Sequence, residues 1–116
     1  MHSGYQLWLA LAVQAGLLFT GLDLLPVWGD EQFTIDTAPQ SPAAIWRIVE
    51  GDVHPPLYYL AVHAWLALPL PGDVVVRARA LSGVFLLLAL VAFDRLWLGR
   101  SEPSRPWILL LWTLSP

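Results

Sequence analysis

Hydrophobic and polar positions fall in long blocks along this chain. Ser3 to Leu22 runs 20 residues without Asp, Glu, Lys, Arg or His. At 1.5 Å per residue such a helix reaches about 30 Å, one hydrocarbon core. No Arg or Lys precedes it, and the exit Leu22-Asp23-Leu24-Leu25-Pro26 has no small-residue cleavage pattern. The pattern therefore predicts a retained span over about 5–25 and not a signal peptide. Ala80 to Phe93 is the next apolar block, with Arg77 and Arg79 before it and Arg95 after it. Long Arg side chains can snorkel to the headgroups, so a second span is predicted over about 78–98. Trp107 to Leu114, after Pro103 and Pro106, reads as the start of a further span over 106–116. The chain reads as an N-terminal piece of something longer.

The block Leu57 to Leu70 carries His63 inside and Pro69 near its end. Runs of this length are more often interfacial or buried than spanning. A helix lying in the interface over about 56–70 leaves 27–79 as one long outer loop. Arg47, Arg77 and Arg79 then share one side, and Arg95, Arg100 and Arg105 form a compact turn on the other. The positive-inside rule assigns that turn to the cytoplasm. If the block spans instead, Arg77 and Arg79 change sides. Within the loop, Ser41-Pro42 is a helix-starting pair and Gly51 a stop, predicting a helix over about 42–50. Ile45, Ile48 and Val49 share one face of it, which predicts an amphipathic helix on the membrane surface, with Trp46 and Arg47 at the interface.

Composition agrees with a membrane chain. Of 116 residues, 57% are hydrophobic and 13% charged, about half the usual charged share of roughly 25%. Six Arg, no Lys and nine acids give a net charge of −3. No basic patch exists, which argues against a nucleic-acid partner. With no Cys, disulfides and thiolate chemistry are absent. The fold class expected is an all-α, multi-pass integral membrane protein of the plasma (inner) membrane.

Candidate chemistry sits in the outer loop. Asp30, Glu31, Asp36, Glu50, Asp52 and Asp73 are all there. Pro55 pushes His54 out of the α region, so the pair Pro55-Pro56 makes a stiff corner that holds Asp52 and His54 above the next helix. The plain alternatives are a loop with a helix-starting Pro, and two solvated acids at Asp30-Glu31. Trp28 and Trp46 read as interface anchors and His63 as a polar-face residue. Asp23 and Asp94 sit near helix ends, are expected to reach headgroup water, and are given no role.

A first apolar helix, Trp28-Gly29-Asp30-Glu31, a short loop helix, Gly51-Asp52-Val53-His54-Pro55-Pro56-Leu57-Tyr58-Tyr59, and Arg79-Ala80-Leu81-Ser82 opening a helix follow one another here. This ordered set resembles the N-terminal part of the GT-C membrane glycosyltransferases, the dolichyl-phosphate-mannose-protein mannosyltransferase-like group. The resemblance covers nearly the whole chain. It implies GT-C-like helices, a long outer loop with juxtamembrane helices, and sugar transfer from a polyprenyl-phosphate-linked donor to a protein, lipid or glycan acceptor at the outer face. An inverting transfer needs a base for the acceptor hydroxyl, and an Asp carboxylate is ionised at neutral pH. The resemblance implies Asp30 as that base with Glu31 in support, and Arg79, or else Arg77, beside the leaving phosphate. Asp52 and His54 would bind substrate, or hold a divalent cation, for which two ligands fall short of a site. The rival reading is a non-catalytic membrane subunit that binds a lipid carrier or assembles with other membrane proteins. A transporter would want its acids inside a span, where this sequence has few.

Overall fold

The structure, a computed structural model, describes residues 3–98 and 103–115. Arg100 of the turn expected in the cytoplasm and Pro116 of the last predicted span lie outside them. Among the described residues the chain is all-helical, with six helices and no strand: α1 (Ser3–Phe19), α2 (Gly29–Thr37), α3 (Pro42–Val49), α4 (Pro56–Leu66), α5 (Val74–Leu96) and α6 (Arg105–Leu114). Only α5, at 23 residues, is long and apolar enough among them to cross a membrane. Helix α1 stops at Phe19 because Gly21 takes a left-handed φ of +78°. Its 17 residues reach about 26 Å, somewhat less than one hydrocarbon core of about 30 Å.

The helices group into two compact units. Residues 22–81 form one; residues 1–21 and 82–116 form the other. In the second, Leu7 and Ala10 of α1, Leu90 of α5 and Leu109 of α6 make the core, with Trp112 packed against it. The Phe93 and Trp112 rings stack at 4.8 Å. Gly83 lets the Phe19 ring approach closely, since a Cβ there would stand 3.0 Å from the ring and push it back by a few tenths of an ångström. Asp94 does not reach headgroup water as expected. It is 5% exposed and accepts from Arg105 Nε at 2.9 Å and Nη2 at 2.5 Å. Arg105 is 3% exposed, so this basic residue closes the α5–α6 turn from inside instead of snorkelling outward.

The unit of residues 22–81 holds the candidate chemistry. Ser41 caps α3, its Oγ accepting from Ala44 N at 3.3 Å, and Pro42 occupies the first turn. Ile45 and Val49 are buried against Tyr59 of α4. This corrects the surface-lying reading of α3. The apolar face that was expected to meet lipid is spent on protein, and of the three positions only Ile48 stays exposed. Helix α4 ends at Leu66, short of the expected residue 70, because Pro69 disfavours helix at the residue before it. The Arg77 guanidinium then caps the freed end, Nη2 donating to the Leu66 and Leu68 carbonyls. Trp65 Nε1 donates to Arg77 O at 2.9 Å, and His63 Nδ1 donates to Ala38 O at 2.9 Å. His63 thus ties α4 to the end of α2 and is not a polar-face residue. Gly72 makes the turn into α5 with φ +97°, and Asp73 caps that helix by accepting from Val76 N.

Candidate functional site

Asp30 and Glu31 do not lie in an open loop. They occupy the first turn of α2, a helix the apolar pattern did not predict. Its sequence GDEQFTIDT carries no apolar stripe, and the face that packs inward is threonine: Thr34 and Thr37 are buried. Thr34 Oγ1 donates to Asp30 O at 3.1 Å, which spares the hydroxyl an unpaired burial.

The two neighbouring acids then part company. Glu31 receives a forked contact from Arg79, Nε to Oε1 at 2.5 Å and Nη2 to Oε2 at 2.8 Å. Both side chains are 16% exposed. The same guanidinium donates to the carbonyls of Leu22, Leu25 and Pro26 at 2.5, 3.1 and 3.4 Å. All three of its nitrogens are thereby engaged within the chain. The Arg79 hydrogen bond holds the Glu31 carboxyl below the usual glutamate range, against the opposing effect of burial. Asp30 is exposed, and no side-chain partner holds its carboxylate among the described residues.

Asp52 and His54 meet as the stiff Pro corner predicts. His54 Nδ1 and Asp52 Oδ2 are 3.1 Å apart, and Asp52 Oδ1 accepts from Val53 N at 2.7 Å. The His54 hydrogen bond, then the Val53 amide, holds the Asp52 carboxyl below its ordinary value. A carboxylate on Nδ1 fixes the imidazole tautomer and turns Nε2 outward as the group that exchanges protons. Pro55 and Pro56 then start α4.

Tyr59 joins these pieces and was not singled out from the sequence. It is 3% exposed and packs edge-on against Phe33 of α2 at 5.6 Å and against Tyr58 at 5.7 Å. Burial pushes its phenol up, and the negative charges of Asp52 and Asp30 add to this. The phenol is thereby held in its protonated form. A signal existed: Tyr59 stands four residues after Pro55, so in a helix started by the Pro pair it falls on the face of Pro55.

Of the six residues taken from the sequence, the fold pairs Glu31 with Arg79 and Asp52 with His54. Asp30 stays exposed outside both pairs, and Arg77 is committed to the end of α4. No three His, Asp or Glu side chains converge as metal ligands among the described residues. Compared with known proteins, the chain matches no family model, no curated protein and no solved structure.

Proposed function

We propose that this chain belongs to a multi-pass membrane glycosyltransferase. Its activity is inverting transfer of a sugar from a polyprenyl-phosphate donor to an acceptor hydroxyl on the extracytoplasmic side. The observation that carries the reading is the division of labour at Asp30-Glu31. Glu31 is locked to Arg79, whereas Asp30 presents an unengaged carboxylate on the same helical turn. The Arg79 fork thereby fixes the backbone that aims Asp30, so Arg79 acts here as a positioning residue.

In this reading the acceptor oxygen attacks the anomeric carbon, Asp30 takes its proton, and the bond to phosphate breaks with its electron pair going to the phosphate. His54, oriented by Asp52, hydrogen-bonds to the departing phosphate. The expected experiment is transfer of radiolabelled sugar from a polyprenyl-phosphate donor in membranes containing the protein, with protein level measured in parallel. Asp30→Asn keeps the shape and removes the base, so transfer falls by about 10²–10⁴-fold. Asp36→Asn, whose carboxylate accepts from Gln32 on the surface of α2, leaves it nearly unchanged. Transfer within a few-fold of wild type in the Asp30 variant removes this reading.

One observation favours the second reading, a non-catalytic subunit that binds a lipid carrier or assembles with other membrane proteins. Arg79 and Arg77, the cations expected at the leaving phosphate, both bond to groups of this chain. That reading predicts silent substitutions at Asp30, Asp52 and His54 alike.

A further inference from the structure

Helices α1 and α6 run side by side in one direction, matched every four residues. Gln6 Oε1 accepts from Arg105 Nη1 at 3.4 Å. One turn on, Ala10 and Leu109 pack in the same core. A further turn on, Gln14 and Thr113 line one cavity. The first polar rung is satisfied by the guanidinium; the last is not. Thr113 Oγ1 gives its hydrogen to Leu109 O at 2.7 Å, so it presents only lone pairs. Gln14 is 6% exposed, and its Oε1 is enclosed with no hydrogen-bond partner. Buried polar atoms are nearly always paired, and an apolar residue of Gln's size would fill this seam at less cost.

The cavity beside this rung has a volume of about 700 Å³, within the range of small-molecule pockets, roughly 300–1,000 Å³. Its other walls are mainly Leu and Ile side chains of α1, α5 and α6, with Trp112, and no charged side chain lines it among the described residues. We infer that it binds a neutral single-chain amphiphile, a long-chain alcohol in chemical class, whose hydroxyl pairs with Gln14. The walls suit an alkyl chain. A charged head would lose its hydration with no opposite charge to meet it. The terminal torsion of Gln is soft, so the carboxamide can turn either end to the cavity. A hydroxyl answers both ends, donating to Oε1 or accepting from Nε2, and it can also donate to Thr113. An ether has no hydrogen to give to either oxygen.

The test uses the purified protein in detergent micelles and a diazirine analogue of dodecan-1-ol as the photolabel. Saturable label is expected on peptides covering 14–18 and 108–115. Dodecan-1-ol displaces it; its methyl ether requires about five- to tenfold more, the worth of one hydrogen bond, and dodecanoate is no better than the ether. Gln14→Leu brings the alcohol to the level of the ether while circular dichroism stays unchanged. Should that variant fail to fold, Leu17→Trp, which fills the cavity from its exposed rim, abolishes the saturable label. Equal competition by alcohol and ether in the wild type overturns the assignment. So does label spread evenly over the apolar helices. None of these outcomes depends on Asp30, so the transfer reading stands or falls separately.

Discussion

Arg79 holds Glu31 with a planar fork, and a lysine cannot reproduce that geometry. Arg79→Lys keeps the charge, yet it should lower the thermal midpoint and reduce transfer together, because the 22–31 strap loses its carbonyl contacts along with the fork. The acid side of this clamp has a definite sign. The folded value of Glu31 lies below the ordinary one, so the clamp contributes fully above about pH 4.3, the unfolded glutamate value. It is lost as pH falls through the lowered folded value. Thermal midpoints measured between pH 3 and 7 should therefore fall more steeply on acidification in the wild type than in Glu31→Gln. Parallel curves would mean that the clamp carries no linkage. The roles of Asp30 and Glu31 were legible as chemistry in the sequence, but their separation was not. Adjacent acids look alike until a cation 48 residues away in the chain selects one of them.

Two contacts between elements set the helices in place. Ile45 of α3 is fully buried beside Val49 and Tyr59. Ile45→Ala should cost about 2–4 kcal/mol in unfolding measured in detergent. A helix merely resting on lipid would lose far less, so the measurement separates the buried face from the surface-lying one. The Asp94–Arg105 pair joins α5 to α6 with both side chains 4% exposed. Arg105→Met leaves a carboxylate buried without its cation and should cost about 3–5 kcal/mol. The double variant Asp94→Leu/Arg105→Met should recover most of that, since two apolar side chains avoid the desolvation penalty. A double variant no better than the single would show that the pair's own attraction carries the turn. Helices α3 and α4 were readable in outline from Ser41-Pro42 and Pro55-Pro56. Helix α2 was not, because its inward face is threonine and yields no apolar period.

For the whole molecule, the proposed topology rests on arginine distribution and on the shortness of α4, whose 11 residues reach about 17 Å and cannot cross a bilayer. The chain has no cysteine, so single Cys probes report without background. Probes at Ser41 and Asp73 should both react with an impermeant reagent in intact cells, and one at Ser104 only after permeabilisation. Reaction of Asp73 solely in permeabilised cells would reverse the assignment of the α4–α5 corner and remove the extracytoplasmic site.

The sequence by itself determined the helical class, the apolar blocks of α1, α5 and α6, and the Pro-marked starts of α3 and α4. These follow from local causes: runs of apolar residues, Pro at first turns, and the Asp52-Val53-His54-Pro55 corner whose contact spans only two residues. Tertiary structure alone decided which charges are free. Arg77, Arg79, Arg105, Glu31, Asp94 and His63 are each committed by a partner distant in sequence, between 9 and 99 residues away for the bonds named above. A pattern read along the chain sees that a residue is charged or apolar. Whether that charge faces water or a carbonyl, and whether Ile45 faces lipid or Tyr59, depends on which helix packs beside it, and that is set by long-range packing.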